Sequence, residues 1–128
     1  MSGLRIVRGA DLSDATAQSE GMRRGEALGA ATTGSSGLWM GITEMLPGAT
    51  SAPHHHGHSE TGIYVVSGQP VFRSREGGKV VEQRAQPGDF VFVPPDLPHV
   101  EANPGEEVAC VVIARTTSEA IVVNLDRL

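Results

Sequence analysis

Four of the chain's five histidines fall within residues 48–60, Gly-Ala-Thr-Ser-Ala-Pro-His-His-His-Gly-His-Ser-Glu. His54 and His56 are two positions apart. On an extended strand, residues i and i+2 share a face and lie about 6.6 Å apart along the chain. Two imidazoles so spaced can converge on one ion through metal–nitrogen bonds of about 2.1 Å. His55 then points to the opposite face, and His58, between Gly57 and Ser59, reads as an exposed turn residue. Glu60 opens the next extended run, so a tight turn can return its carboxylate to the imidazoles. His99 ends a second unusual run, Pro94-Pro95-Asp96-Leu97-Pro98-His99, in which the prolines fix the approach of the chain. The chemistry these residues suit is the holding of one metal ion where the two runs meet. A lone His-x-His also suits a solvated loop, so the argument rests on the combination.

Such a site needs strands to carry it. From Leu38 the chain reads as short apolar runs separated by turn residues. Strands are expected over 38–46, 52–56, 60–67, 70–75, 79–84, 90–93, 99–102, 107–115 and 120–125, with turns at Pro47-Gly48, Gly57-His58-Ser59, Glu76-Gly77-Gly78, Gln86-Pro87-Gly88-Asp89 and Asn103-Pro104-Gly105. Strands recurring every 8–12 residues indicate an all-β sandwich or barrel. Residues 1–36 show no convincing apolar period and are expected to form an irregular segment with one short strand, Leu4 to Arg8. Residues 37–128 then form a single barrel domain.

Composition narrows the function. A chain of 128 residues argues for one core. A net charge of −5 leaves no basic footprint for nucleic acid. The longest apolar run, Val108 to Ala114, is too short to span a membrane, and the N-terminus lacks the apolar core of a secretory signal. The single cysteine, Cys110, lies in an apolar run and reads as a small buried hydrophobe. These features point to a cytoplasmic setting.

The spacing of the two runs resembles the cupin superfamily. Its first motif is Gly, five residues, His-x-His, three or four residues, Glu, six residues, Gly. Gly48, His54, His56 and Glu60 follow it, and Gly68 comes after seven residues rather than six. The second motif is Gly, five residues, Pro-x-Gly, two residues, His, three residues, Asn. Gly88, Pro94, His99 and Asn103 fall at its spacings, with Asp96 in place of the glycine, a residue that tolerates turn geometry. The resemblance implies a double-stranded β-helix of the jelly-roll type, assembled as a homodimer. It also implies one divalent transition metal, iron, manganese, nickel, zinc, cobalt or copper, on His54, His56, Glu60 and His99.

Three functions are compatible with that resemblance. The first is a dioxygenase-like oxidoreductase acting on a small oxygenated or aromatic metabolite. The second is a metal-assisted isomerase, cyclase or lyase. The third is a non-catalytic module that binds a small ligand. Gly62, Tyr64 and Val66 share the parity of Glu60 and are expected to face the pocket, with Tyr64 a candidate catalytic hydroxyl. Phe90 and Phe92, and either Met40 with Ile42 or Trp39 with Met45, are expected to supply its apolar wall.

Overall fold

The computed structural model describes residues 3–128. Ten strands are formed: β1 Met22–Leu28, β2 Trp39–Met45, β3 His54–His55, β4 Thr61–Ser67, β5 Val71–Glu76, β6 Lys79–Arg84, β7 Phe90–Val93, β8 His99–Ala102, β9 Ala109–Arg115 and β10 Val123–Asn124. They make two five-stranded antiparallel sheets, in the orders β1-β2-β9-β4-β7 and β10-β3-β8-β5-β6. The result is the expected jelly roll. Among the described residues, the one helical element is a 3-10 turn, Gly9–Asp11. No helix among them is long and apolar enough to cross a membrane.

The inner face of the first sheet carries the core. On β2 the buried positions alternate as Trp39, Gly41, Thr43 and Met45, and on β9 as Ala109, Val111, Ile113 and Arg115. This is the period-two burial of a half-covered sheet. Trp39, Met45, Ile63, Val65, Val93, Val111 and Ile113 pack together there. Of the two alternatives for β2, the Trp39–Met45 face is therefore the inner one.

Several boundaries match the sequence reading and some do not. The turn between β5 and β6 is Gly77-Gly78, with Glu76 opposite Lys79 and both glycines at positive φ, +58° and +80°. That is the geometry favoured in two-residue hairpins. Asp96 takes φ +59°, the left-handed conformation for which a glycine would be the default. Leu4 to Arg8, expected to be a strand, is not one. Instead Met22–Leu28, inside the segment read as irregular, pairs with β2 from Met22 opposite Met45 onward. Its inward positions are Met22, Arg24 and Glu26, so charge lies where an apolar residue would have marked the strand.

A candidate metal centre inside the barrel

The second sheet brings three histidines together. β3 and β8 are antiparallel neighbours with His54 directly opposite His99. β10 covers the other edge of β3, with Asn124 opposite His54, and the Leu125 amide donates to the Pro53 carbonyl at 2.8 Å. His56 follows β3 at the start of the Gly57-His58 turn. The Asp96 amide donates to the Gly57 carbonyl at 2.7 Å, tying the proline-rich loop before His99 to the turn after His56. The ring centroids of the three histidines are 4.3–5.0 Å apart, and all three side chains are buried. His55 is half-buried on the other face, where its Nδ1 accepts from the Gly57 amide, and His58 is exposed, as the spacing predicted.

The fourth member of the cluster is Glu101. It stands two residues after His99 on β8 and therefore shares its face. Its position is fixed by the Ser51 hydroxyl, which accepts from the Glu101 amide at 3.0 Å, and by the Ser51 amide, which donates to the Glu101 carbonyl at 2.8 Å. Glu101 Oε1 lies 3.3 Å from His99 Nε2 and 3.7 Å from His54 Nε2. One ligand atom from each of His54, His56, His99 and Glu101 lies within 4.8 Å of all the others.

The structure does not bring Glu60 to this cluster. Glu60 is exposed, and its amide donates to the Thr116 hydroxyl. The reason is register. A slip of one residue moves a strand side chain to the opposite face. With six residues left between it and Gly68, as the motif requires, the glutamate position falls on Thr61 rather than Glu60. Gly68 itself cannot shift: it has φ +83°, and a Cβ there would lie 2.5 Å from that of Ala109. Thr61 consequently takes the inward position and Glu60 the outward one. The spacing that would have found Glu101 is present in the sequence, since His99-x-Glu101 repeats the i, i+2 pattern of His54-x-His56.

The same register corrects the proposed pocket. Thr61, Ile63 and Val65 face inward, whereas Gly62, Tyr64 and Val66 face out. Tyr64 stacks on Phe90 at 4.8 Å on the outer face, away from the histidines, and Phe90 and Phe92 are among the most exposed apolar side chains. A cleft of about 280 Å³ reaches the cluster at His99; Phe92 does line it, as expected, together with Phe72, Ser74, Val91, Val93 and Leu97.

Protonation prepares the cluster for a cation. The Nδ1 atoms of His54, His56 and His99 lie 2.7, 2.7 and 2.9 Å from the carbonyls of Ala52, Ile121 and Leu97. A carbonyl only accepts, so each Nδ1 carries a proton and each ring turns its Nε2 into the cluster. Backbone carbonyls in this role orient metal-binding histidines generally. His54 Nε2 is buried without a hydrogen-bond partner among the described residues. Burial, reinforced by the nearby Arg115 guanidinium, pushes the His56 pKa down to about 3, so it is neutral at pH 7. Burial raises the Glu101 pKa, but the imidazoles of His54 and His99 outweigh that and hold it well below the usual carboxylate range. Three converging Nε2 atoms beside a carboxylate make a donor set that a cation fits, and three nitrogens with one oxygen suit a divalent transition metal.

A family model described as the cupin domain matches residues 41–115. The chain belongs to the cupin family. A curated relative, the polyketide synthase CurC of Streptomyces cyaneus, is 33% identical over 81 residues, covering 63% of this chain and 50% of that protein. Two solved structures share the fold at low identity. Recombinant oxalate oxidase in complex with glycolate superposes with a TM-score of 0.73 at 22% identity, over 81% of this chain and 55% of that one. The Lactobacillus farciminis oxalate decarboxylase–formate complex gives 0.78 at 19%, over 91% and 34%. This cupin thus spans about half the length of the curated relative it matches.

Proposed function

We propose that this cupin binds one divalent transition metal through His54, His56, His99 and Glu101 and acts as a metal-dependent oxidoreductase of the dioxygenase-like kind on a small oxygenated metabolite. The observation that carries the reading is the convergence of three carbonyl-oriented Nε2 atoms and a carboxylate in a buried cluster. When bound, such an ion would supply Lewis acidity and, if redox-active, electrons. The chain's own contribution is to aim the three imidazoles through backbone carbonyls, to keep His56 neutral, to keep the Glu101 carboxylate ionised, and to bound the site with apolar side chains such as Phe72 and Val93. The oxalate oxidase and decarboxylase neighbours show that this fold accommodates small oxygenated molecules in other proteins.

The match to a protein named polyketide synthase CurC favours a second reading, non-redox cyclase, isomerase or lyase chemistry at the same ion. Metal analysis of untagged protein purified without chelator, followed by oxygen-uptake assays, separates the two. Stoichiometric iron or manganese with oxygen consumption supports the first. Turnover that proceeds without oxygen supports the second. Absence of metal after reconstitution overturns both.

The reading includes a homodimer in the cytoplasm. Met40, Ile42, Val112, Ala114, Tyr64, Phe90 and Phe92 lie on neighbouring rungs of the first sheet's outer face. Apolar area of this kind on a monomer marks an interaction surface. Cys110 lies on this sheet half-buried, its thiol pKa raised by burial and by Glu44, and a reducing compartment suits such a lone thiol.

A further inference from the structure

The rung of the second sheet that carries two of the histidines continues past them. His54 is opposite His99, and His99 is opposite Ser74 on β5. Facing residues of an antiparallel ladder project to the same side of the sheet, so Ser74 stands beside His99 on the inner face. The Arg75 amide donates to the Pro98 carbonyl at 3.1 Å. That bond flanks the Ser74–His99 pair, which is therefore of the closer, non-hydrogen-bonded kind, with Cα atoms about 4.5 Å apart. Ser74 is half-buried and lines, with His99, the cleft that reaches the cluster.

Glu76 comes two positions after Ser74, so it shares that face, and it lines the same cleft from an exposed position. Ser74 Oγ donates to Glu76 Oε2 at 2.6 Å, the length of a charge-assisted bond. A hydroxyl has one proton and two acceptor lone pairs. With its proton committed to Glu76, the Ser74 oxygen presents only lone pairs to the cleft. The remaining wall is apolar apart from Gln83, with the rings of Phe72 and Phe92 and the side chains of Val91 and Leu97. A polar acceptor thus sits within an apolar slot, next to a histidine of the cluster.

We propose that this cleft admits a molecule with an apolar body and a hydroxyl, a phenol or an enol, whose O–H donates to Ser74 Oγ. Glu76 holds Ser74 in the accepting role, so the pair favours ligands that bring a donor over ligands of the same shape that do not. The deeper end of the molecule lies towards His99. That the ion acts on such a molecule rests on the metal reading above; the selection of a donor does not.

The test uses phenol and anisole as probes, because the methyl ether keeps the ring and loses the donor. Each is titrated into the full chain, with and without Zn(II), and followed at the Val91 and Leu97 amide signals by NMR. Zn(II) uptake is measured separately. Metal-free wild type is expected to bind phenol about fivefold or more tightly than anisole. Ser74→Ala should bring the two within about twofold by removing the acceptor. Glu76→Gln should also shrink the preference, because an amide can donate to Ser74 and release its proton towards the cleft. If wild type takes up no Zn(II), the metal reading fails, and the metal-free titrations still decide the cleft. The proposal is overturned if phenol gives no saturable shift, if anisole binds as well as phenol, or if the preference survives in Ser74→Ala. Survival of the full preference in Glu76→Gln, an exposed position, overturns the role of the carboxylate even if Ser74→Ala does not fold.

Discussion

At the scale of single residues, the fourth position of the cluster separates two carboxylates that the sequence offers. Glu101 is buried against His54 and His99, while Glu60 is exposed. Changing Glu101 to Gln should weaken metal binding by about 100-fold or more, since even changes behind the ligands cost about 10–100-fold. Glu60→Gln should leave metal affinity within about twofold. Competition titration with a chromogenic chelator reads both. The cluster also sets an acid limit on the metal-free protein. The His56 pKa is about 3 in the fold against 6.5 unfolded, so the unfolded chain takes the proton first. Stability should therefore fall as pH drops below about 6.5 and continue to fall towards 3. Glu101 adds to this below about 4.5, because its folded pKa lies under its unfolded value. Urea midpoints of metal-free protein between pH 7.5 and 4 should decline, and His56→Gln should flatten the upper part of that decline.

At the scale of elements, the motif asparagine works as a staple between sheets rather than as a ligand. Asn103 is buried, and its Nδ2 donates to the Met45 carbonyl at 2.9 Å and to the Glu107 carbonyl at 2.7 Å. Its Oδ1 accepts from the Gly105 amide at 3.1 Å. It thus fixes the end of β2 against the loop that leads into β9. Asn103→Ala should cost about 1–3 kcal/mol, through three lost hydrogen bonds, one of them to the buried Met45 carbonyl. Thermal denaturation with and without metal checks it, and metal stoichiometry at 20 °C should persist. The strands from β2 to β9 were legible because apolar alternation and Gly-Pro-Asn turns agree there. β1 was not, because Arg24 and Glu26 occupy inward positions and invert the pattern that reveals a strand. The three histidines were legible from the His54-x-His56 spacing taken together with the proline-rich run that ends at His99 and the resemblance both runs carry. Glu101 was missed because a nearer carboxylate, Glu60, fitted the motif count within one residue, and one residue on a strand is a whole face. Tyr64 was misplaced by the same parity error.

At the scale of the whole molecule, the barrel buries charge of both signs, Arg24 and Arg115 with Glu26 and Glu101, and carries an apolar wall outside. The apolar wall is the outer face of the first sheet, where Phe90 is 81% and Phe92 62% exposed. Sedimentation at micromolar concentration should give a species twice the 13.4 kDa chain mass, and Phe90→Glu should return it to a single chain. A single-chain species in the unsubstituted protein would remove the homodimer from the proposal.

The carbonyl that orients His56 belongs to Ile121, and the strand that covers β3 runs through Val123 and Asn124. The imidazole and its orienting group are therefore separated by sixty-five residues of synthesis. A ribosome-bound chain with His54, His56, His99 and Glu101 already emerged still lacks the contact that assigns the His56 proton. A cation meeting such a chain would find all four side chains present and the His56 ring still unoriented until residue 121 has emerged.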